Sequence, residues 1–411
     1  MNCIAAVAVA VALVVAGCSS GSATPEPGSR NSPPGVSSRA TPGAPSDAAI
    51  GVPRDADVSH LAAKPLYVAL CAPCHGADAK GYAADHAPSL VNPTFLESAS
   101  DDFLHRSIVV GRPGTSMAAY GKARGGPLDD AGIDRLVHYL REQGPAARAL
   151  PPATAGDPDA GAAIYAARCV SCHGDRKTRG EAMALTNPGL LAAASDAFLR
   201  HAIVHGRPGT KMEAFAGALS DRDIDNVVSY IRAVGNVAPE VGLLPEPTGK
   251  EPLVINPSGK APSFKLRADP CPPVLPGAVS SCKPDPRFVS VDQVARAVAA
   301  RQRLVIIDAR PTSEWRRVHI AGAVSIPYHE LTRLAELPRD GTWIVAYCAC
   351  PHHLSGIVVD ELRKRGFAYA AVLDEGINDW HRRGFPVVAA EGVTRPPADP
   401  PAAALPAGTI R

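Results

Sequence analysis

The chain is 411 residues long and carries a formal net charge of +2, with 10 cysteines, 41 prolines and 36 glycines. That length is too great for one ordinary core and implies two to three domains, while a near-neutral charge with no basic block speaks against nucleic acid as a partner. The prolines and glycines gather in stretches that cannot hold regular structure, and so they mark linkers.

Residues 4–16 form an apolar run too short to span a bilayer, as in the h-region of a signal peptide. The run ends in Val15-Ala16-Gly17-Cys18, which resembles a bacterial lipobox. That resemblance implies a signal peptide over residues 1–18, lipidation of Cys18, and a protein held by a lipid anchor in the periplasm. Met1-Asn2 supplies no Lys or Arg for the n-region, and a plain secretory signal is the alternative. Residues 19–56 are mainly Ser, Pro, Gly and Ala and cannot bury enough apolar surface to fold, which predicts a disordered tether.

Beyond the tether the sequence repeats. Leu66-Tyr67-Val68-Ala69-Leu70-Cys71-Ala72-Pro73-Cys74-His75-Gly76 returns as Ile164-Tyr165-Ala166-Ala167-Arg168-Cys169-Val170-Ser171-Cys172-His173-Gly174. Gly111-Arg112-Pro113-Gly114-Thr115 returns as Gly206-Arg207-Pro208-Gly209-Thr210, and each is followed two residues later by a methionine, Met117 or Met212. Ile133, Leu136, Val137 and Leu140 match Ile224, Val227, Val228 and Ile231, both sets spaced as one face of a helix. Asp129 is placed to cap the first of these helices, and Ser220 with Asp223 the second. One whole domain is therefore present twice, over residues 57–147 and 152–240, the copies joined by a Pro- and Ala-rich segment. A Pro-rich connector follows over residues 241–286.

Two cysteines three apart can form thioethers to the two vinyl groups of one porphyrin, and the adjacent His is then carried under the iron. Cys71, Cys74, Cys169 and Cys172 are thus expected to hold two covalently bound haems c, with His75 and His173 as proximal iron ligands. A thioredoxin-type redox pair would open a helix after a strand, and a zinc site would share four ligands between the motifs. Neither explains the His in both copies or the matched Met117 and Met212, which are the candidates for the sixth iron ligand. His105, His201 and His205 are rival ligands without counterparts in the other copy, and Met183 likewise has none. Each copy resembles a class I cytochrome c domain, over residues 57–143 and 157–236. The resemblance implies an all-α fold, electron transfer with other redox proteins or a membrane respiratory complex, and a Pro carbonyl that receives a hydrogen bond from the proximal His. Pro88 and Pro188 match that position.

The pattern then changes to alternating helices and strands. A helix is expected from Ser290, where Ser290 and Gln293 suit a capping box, then strands at 304–308 and 342–347, a helix at 355–365 and a strand at 369–373. This is an α/β domain with a parallel sheet over residues 287–392, followed by a disordered tail, 393–411. Cys348 ends a strand and precedes a loop that leads into a helix, where an open α/β sheet places ligands and helix amides lower a thiol's pKa. Around it stand Asp308-Ala309-Arg310, Glu314-Trp315, His319-Ile320-Ala321-Gly322-Ala323, Gly376 and Trp380. Together they resemble a rhodanese domain. What the resemblance implies is a Cys at position 348 that accepts sulfane sulfur as a persulfide, so that a sulfur compound is the substrate and sulfurtransferase or sulfur-oxidising activity resides there. The loop departs from the common pattern: Pro351 and His353 stand where Gly and Arg are frequent, which weakens the case for thiosulfate. Cys350 could resolve a persulfide, pair with Cys348, or be inert, and His352 and His353 could activate a thiol, bind a metal with the cysteines, or be solvated loop residues. A redox or docking domain without catalysis is the alternative. Cys271 and Cys282, in the connector of an exported protein, are expected to form a disulfide.

Overall fold

The computed structural model describes residues 57–81, 87–175, 178, 180–235, 242–268, 284–349 and 352–396. The expected signal peptide and Cys18, the tether, Cys271 with Cys282, Cys350 with Pro351, and the tail from 397 onward lie outside these residues.

The repeat is visible as the same five helices twice. In the first copy they are α1 (Ala63–Leu70), α2 (Ala72–His75), α3 (Pro93–Ser98), α4 (Asp101–Val110) and α5 (Asp130–Arg141); in the second, α6 (Pro158–Arg168), α7 (Val170–His173), α8 (Pro188–Ala193), α9 (Asp196–His205) and α10 (Asp221–Gly235). The starts are set by side chains that satisfy amides lacking an intrahelical partner. Asp129 accepts from the Gly132 amide at 2.9 Å, while Ser220 and Asp223 bond each other's amides reciprocally at 3.2 Å. The faces predicted from spacing are the buried ones: Ile133 and Leu136, like Ile224 and Ile231, are at most 1% exposed. In each copy the last helix packs against the first.

The two copies meet through a pseudo-twofold contact. Asn92 caps α3 and donates to Pro208 O at 2.9 Å; its counterpart Asn187 caps α8 and donates to Pro113 O at 2.9 Å. Phe103 and Phe198 stack between them with ring centroids 4.5 Å apart. The approach is so close that a Cβ at Gly189 would lie 2.7 Å from Gly111 O, which only glycine permits.

The C-terminal region is built from β1 (Arg267–Ala268), β2 (Pro286–Val289), α11 (Val291–Ala299), β3 (Leu304–Asp308), α12 (Thr312–Trp315), β4 (Val318–Ile320), β5 (Val324–Ser325), β6 (Trp343–Tyr347), α13 (His353–Lys364), β7 (Ala370–Leu373), α14 (Gly376–Arg382) and β8 (Val387–Ala389). Six strands form one sheet in the order β1-β2-β7-β6-β3-β5, parallel apart from β1. β4 and β8 pair separately. Strands buried on both faces read as continuous apolar runs, as Leu304-Val305-Ile306-Ile307 does. Val305, Ile307, Ile344 and Ala346 join one core, which continues into the helical repeats, and Leu304, Ile306, Val345 and Tyr347 join the other. The expected fold class, two all-α domains followed by an α/β domain with a mostly parallel sheet, holds. Among the described residues no helix is long and apolar enough to cross a membrane.

Candidate functional sites

Each Cys-x-x-Cys-His motif occupies the turn where the first helix of a repeat passes into a short second one. Cys71 is the last residue of that junction, and its carbonyl accepts from the His75 amide at 2.9 Å; Cys169 and His173 repeat the bond at 2.9 Å. A tyrosine one turn upstream locks the exit of each motif: Tyr67 Oη donates to Gly76 O and Tyr165 Oη to Gly174 O, both at 2.8 Å. The cysteines of each pair are not joined in a disulfide. Burial pushes the Cys71 thiol up to about 12 and the Cys169 thiol up to about 11. Without a bound metal, the Cys71 and Cys169 thiols are therefore poor thiolate nucleophiles. Among the described residues no group of three or more His, Cys, Asp and Glu side chains gathers as a metal cage.

The proximal histidines show how well the sites suit haem. His75 Nδ1 lies 3.0 Å from Pro88 O, and His173 Nδ1 lies 2.7 Å from Met183 O. A carbonyl only accepts, so Nδ1 carries the proton and Nε2 presents its lone pair, the tautomer an iron ligand needs. Burial lowers the pKa of both rings and keeps them neutral. The donor set therefore fits haem c in both copies.

The second copy corrects one expectation. Pro188 does not accept from His173; it is the first residue of α8, after the Asn187 cap, as Pro93 follows Asn92 at α3. Pro suits that position because its missing amide would have no partner there. Counting back from these Asn-Pro pairs makes Met183 the counterpart of Pro88, in a loop three residues shorter. Met183 thus has a counterpart after all, and contributes its backbone.

Met117 and Met212 end identical turns. The amides of Arg112 and Arg207 donate to Met117 O and Met212 O at 2.7 and 2.8 Å, and Thr115 and Thr210 hydroxyls accept from the methionine amides at 3.1 Å. The rival histidines are engaged elsewhere: His105 Nε2 lies 3.6 Å from Asp134, and His201 Nε2 lies 3.1 Å from Arg148 Nη2, its ring against that of His205.

Cys348 follows β6 directly, is 1% exposed, and has Sγ 3.3 Å from Ser355 Oγ on α13. Its carbonyl accepts from the Ile377 amide at 3.0 Å, and a Cβ at Gly376, where φ is +64°, would lie 2.4 Å from that oxygen. The residues flanking it in sequence prove to be its scaffold. Asp308 and Arg310 form a buried ion pair at 2.7 Å, completed by Tyr347 Oη donating to Asp308 at 2.8 Å, and Asp308 raises the Arg310 pKa despite burial. His319 stacks on Trp315 at 3.9 Å, and Trp380 is fully buried. His352 stands just before α13 at φ +71° without a side-chain cap bond, and its Nε2 lies 3.0 Å from Asp374, a structural engagement at the end of the loop.

What sequence reasoning did not foresee is where this loop rests. Ser116 Oγ, next to Met117, donates to Ala349 O, next to Cys348, at 3.1 Å. α13 packs against α2, which carries Cys74 and His75. Tyr328 Oη donates to Leu70 O at 2.7 Å, and Tyr120 Oη lies 3.1 Å from the same carbonyl and 3.0 Å from Tyr328 Oη. Ser313 Oγ donates to Ala119 O at 2.5 Å. Ala349, beside Cys348, thus rests on the methionine loop of the first repeat, while α13 packs against its motif helix.

Comparison with known proteins agrees with this division. A family model described as cytochrome c oxidase, cbb3-type, subunit III matches residues 60–140 and again 156–231, and a rhodanese-like domain model matches residues 290–383. The chain carries two cytochrome c domains and a C-terminal rhodanese-like domain. Cytochrome c domains bind haem c covalently and transfer electrons. The chain is 33% identical over 175 residues to the cbb3-type cytochrome c oxidase subunit FixP of Bradyrhizobium sp. (strain ORS 278), covering 40% of this chain and 57% of FixP. It is 30% identical over 171 residues to FixP of Azorhizobium caulinodans, covering 40% and 56%. It is 26% identical over 113 residues to a sulfurtransferase of Allochromatium vinosum, covering 25% of this chain and 96% of that protein. The chain spans little more than half the length of the two FixP proteins.

Proposed function

We propose that the protein is a dihaem c-type cytochrome that transfers electrons in the periplasm and couples them to sulfane-sulfur handling at Cys348. Haem c, when bound, supplies one-electron redox chemistry. Cys71 and Cys74, and Cys169 and Cys172, would anchor the two haems; His75 and His173 would present Nε2 to the irons, and Met117 and Met212 their thioethers. Sulfur ligation of this kind raises haem potentials. Lipidation at Cys18, with the 19–56 tether, would hold the module near a membrane where respiratory partners reside, and a disulfide between Cys271 and Cys282 would staple the connector.

The observation that carries the coupling is the hydrogen bond from Ser116 to Ala349 O, which joins the residue beside Met117 to the residue beside Cys348. A sulfur handled at Cys348 is then handled on the surface of a cytochrome domain. The test is anaerobic titration of the oxidised holoprotein with polysulfide, thiosulfate and sulfite, following haem absorbance in wild type and Cys348→Ser. Polysulfide is expected to reduce the wild-type haems and to lose that effect in Cys348→Ser, with thiosulfate the poorer donor because His353 replaces a guanidinium. Equal reduction of the variant favours the second reading, a pure electron relay whose rhodanese-like domain serves for docking. The near-complete burial of Cys348 is the observation on that side.

A further inference from the structure

The rhodanese-like domain and the first cytochrome domain share one apolar seam. A single cluster of buried side chains runs from Leu70, Ala72 and Tyr120 into Tyr328, Leu354 and Ile357. Hydrogen bonds pin the seam at both ends. Tyr328 Oη donates to Leu70 O at 2.7 Å beside the Cys-x-x-Cys-His motif, and Ser313 Oγ donates to Ala119 O at 2.5 Å just past Met117. Ser116 donates to Ala349 O at 3.1 Å on the other side of that methionine. A porphyrin joined to Cys71 and Cys74 through two vinyl groups has its vinyl-bearing edge at the motif. Residues that flank the motif and the methionine therefore decide whether that edge meets solvent. In the first domain Ala72 is 1% exposed, Ala118 3% and Ala119 6%. In the second, the matching Val170 is partly exposed and Glu213 and Ala214 are exposed, as are Arg168 and Ser171. Tyr120, whose hydroxyl meets Tyr328, is matched by Phe215, which has no hydroxyl to offer.

Resting on the dihaem part of the function proposed above, and not on its sulfur chemistry, we propose that the rhodanese-like domain is a fixed cap over the cofactor edge of the first cytochrome domain. The second domain is then the port through which the chain exchanges electrons with outside one-electron donors and acceptors. Electron transfer weakens steeply with distance, so a donor held off by a packed domain loses to one that touches an open edge. An outside donor gives up one electron, the ferric iron of the second domain takes it, and it passes across the interface of the two cytochrome domains to the ferric iron of the first. A second donor molecule then reduces the second domain again, and no proton moves. The cap also keeps water from the edge of the first domain. Low dielectric there favours the ferrous form, whose haem core carries less net charge, and so raises the potential of the first domain. Electrons that enter at the second domain therefore run downhill to the first.

The experiment uses oxidised, anaerobic full-length holoprotein at low ionic strength, in which a haem assay has counted the haems per chain. A count of one removes the dihaem reading and this inference together; two haems with the rates or potentials below failing removes only the inference. Hexaammineruthenium(II), a dication, is the donor, and haem absorbance follows reduction. Glu213→Lys with Ala214→Lys places like charge on the open face and should slow reduction of both haems several-fold. Were the first domain an equal port, closing the second would leave at least half of the rate, and that result overturns the inference. In the same background, Ala118→Glu and Ser313→Lys attack the seam from its two sides with opposite charge, so an effect common to both comes from opening it. Both should restore fast reduction; rates that stay slow in both overturn the cap. Potentiometric titration gives a readout apart from rate. Each seam variant should lower one of the two reduction potentials and leave the other in place, whereas unmoved potentials, or shifts of opposite sign that follow the introduced charge, overturn the inference.

Discussion

The two cytochrome domains share a backbone plan and differ in what they show to their surroundings. Motif turn, tyrosine lock, histidine tautomer and methionine turn are superposable bond by bond. The surface that surrounds them is not. Leu70, Ser116 and Ala118 of the first domain stand where the second has Arg168, Lys211 and Glu213. Leu70 O and Ser116 bond the rhodanese-like domain through Tyr328 and Ala349, and Ala118 is buried, whereas Arg168, Lys211 and Glu213 are exposed. Because the motif turn and the methionine turn are common to both, the difference concerns partners. Burying an unpaired Arg or Glu costs several kcal/mol, so the charged face of the second domain turns the rhodanese-like domain away while the first accepts it.

The sharpest way to break the comparison is to write the second face onto the first. Ala118→Glu introduces the residue found at position 213 into a site that is 3% exposed. An uncompensated buried charge of this kind should cost about 3–5 kcal/mol, and the domains should part instead of paying it in full. Calorimetry should then resolve a separate rhodanese transition, and alkylation of Cys348 should accelerate. Retained haem absorbance would show that the first domain still folds. A single unaltered transition would mean that the charge pattern does not direct docking.

A smaller effect is expected at the tyrosine pair. Tyr328→Phe removes the donor to Leu70 O and leaves Tyr120 Oη to satisfy that carbonyl alone. The loss should be about 1 kcal/mol. In a cycle with Tyr120→Phe the double variant should cost more than the sum, because the buried carbonyl is then unpaired. Additive costs would deny the shared acceptor.

Much of this was legible in the chain and some was not. The repeat, its buried helix faces and the α/β pattern follow from apolar spacing, which tertiary contacts only reinforce. The His–carbonyl partner of the second domain is Met183 although Pro188 stands near the distance from His173 that the first domain suggests; the Asn92-Pro93 and Asn187-Pro188 pairs are the better ruler, since a capped helix start is a fixed landmark while a loop can shorten. The seat of the rhodanese-like domain was not read, although its signal lay in the aligned repeats: a charge in one copy against a small apolar residue in the other marks a face that one copy buries. Ser116 gives no such signal, because a hydroxyl between a proline turn and Met117 is compatible with water as well as with Ala349 O.

The last expected effect separates the domains by pH. His201 in α9 is 6% exposed and its Nδ1 has no partner, whereas the matching residue of the first domain is Arg106, whose side chain is half in solvent. Burial, the neighbouring His205, and the Arg148 and Arg207 guanidinia push the His201 pKa down to about 4, against a weaker opposing pull from Glu97. An unfolded histidine titrates near 6.5, so over this range the unfolded chain binds the proton more readily. Stability from this residue is complete above about pH 6.5 and is lost as the pH falls toward about 4. Amide exchange should therefore speed up in α9 on acidification through that window, with α4 of the first domain lagging. His201→Gln, which can still accept from Arg148, should remove the difference between the two helices. Equal acceleration of α4 and α9 in the wild type would place the acid sensitivity elsewhere and restore the two domains to equivalence on this point.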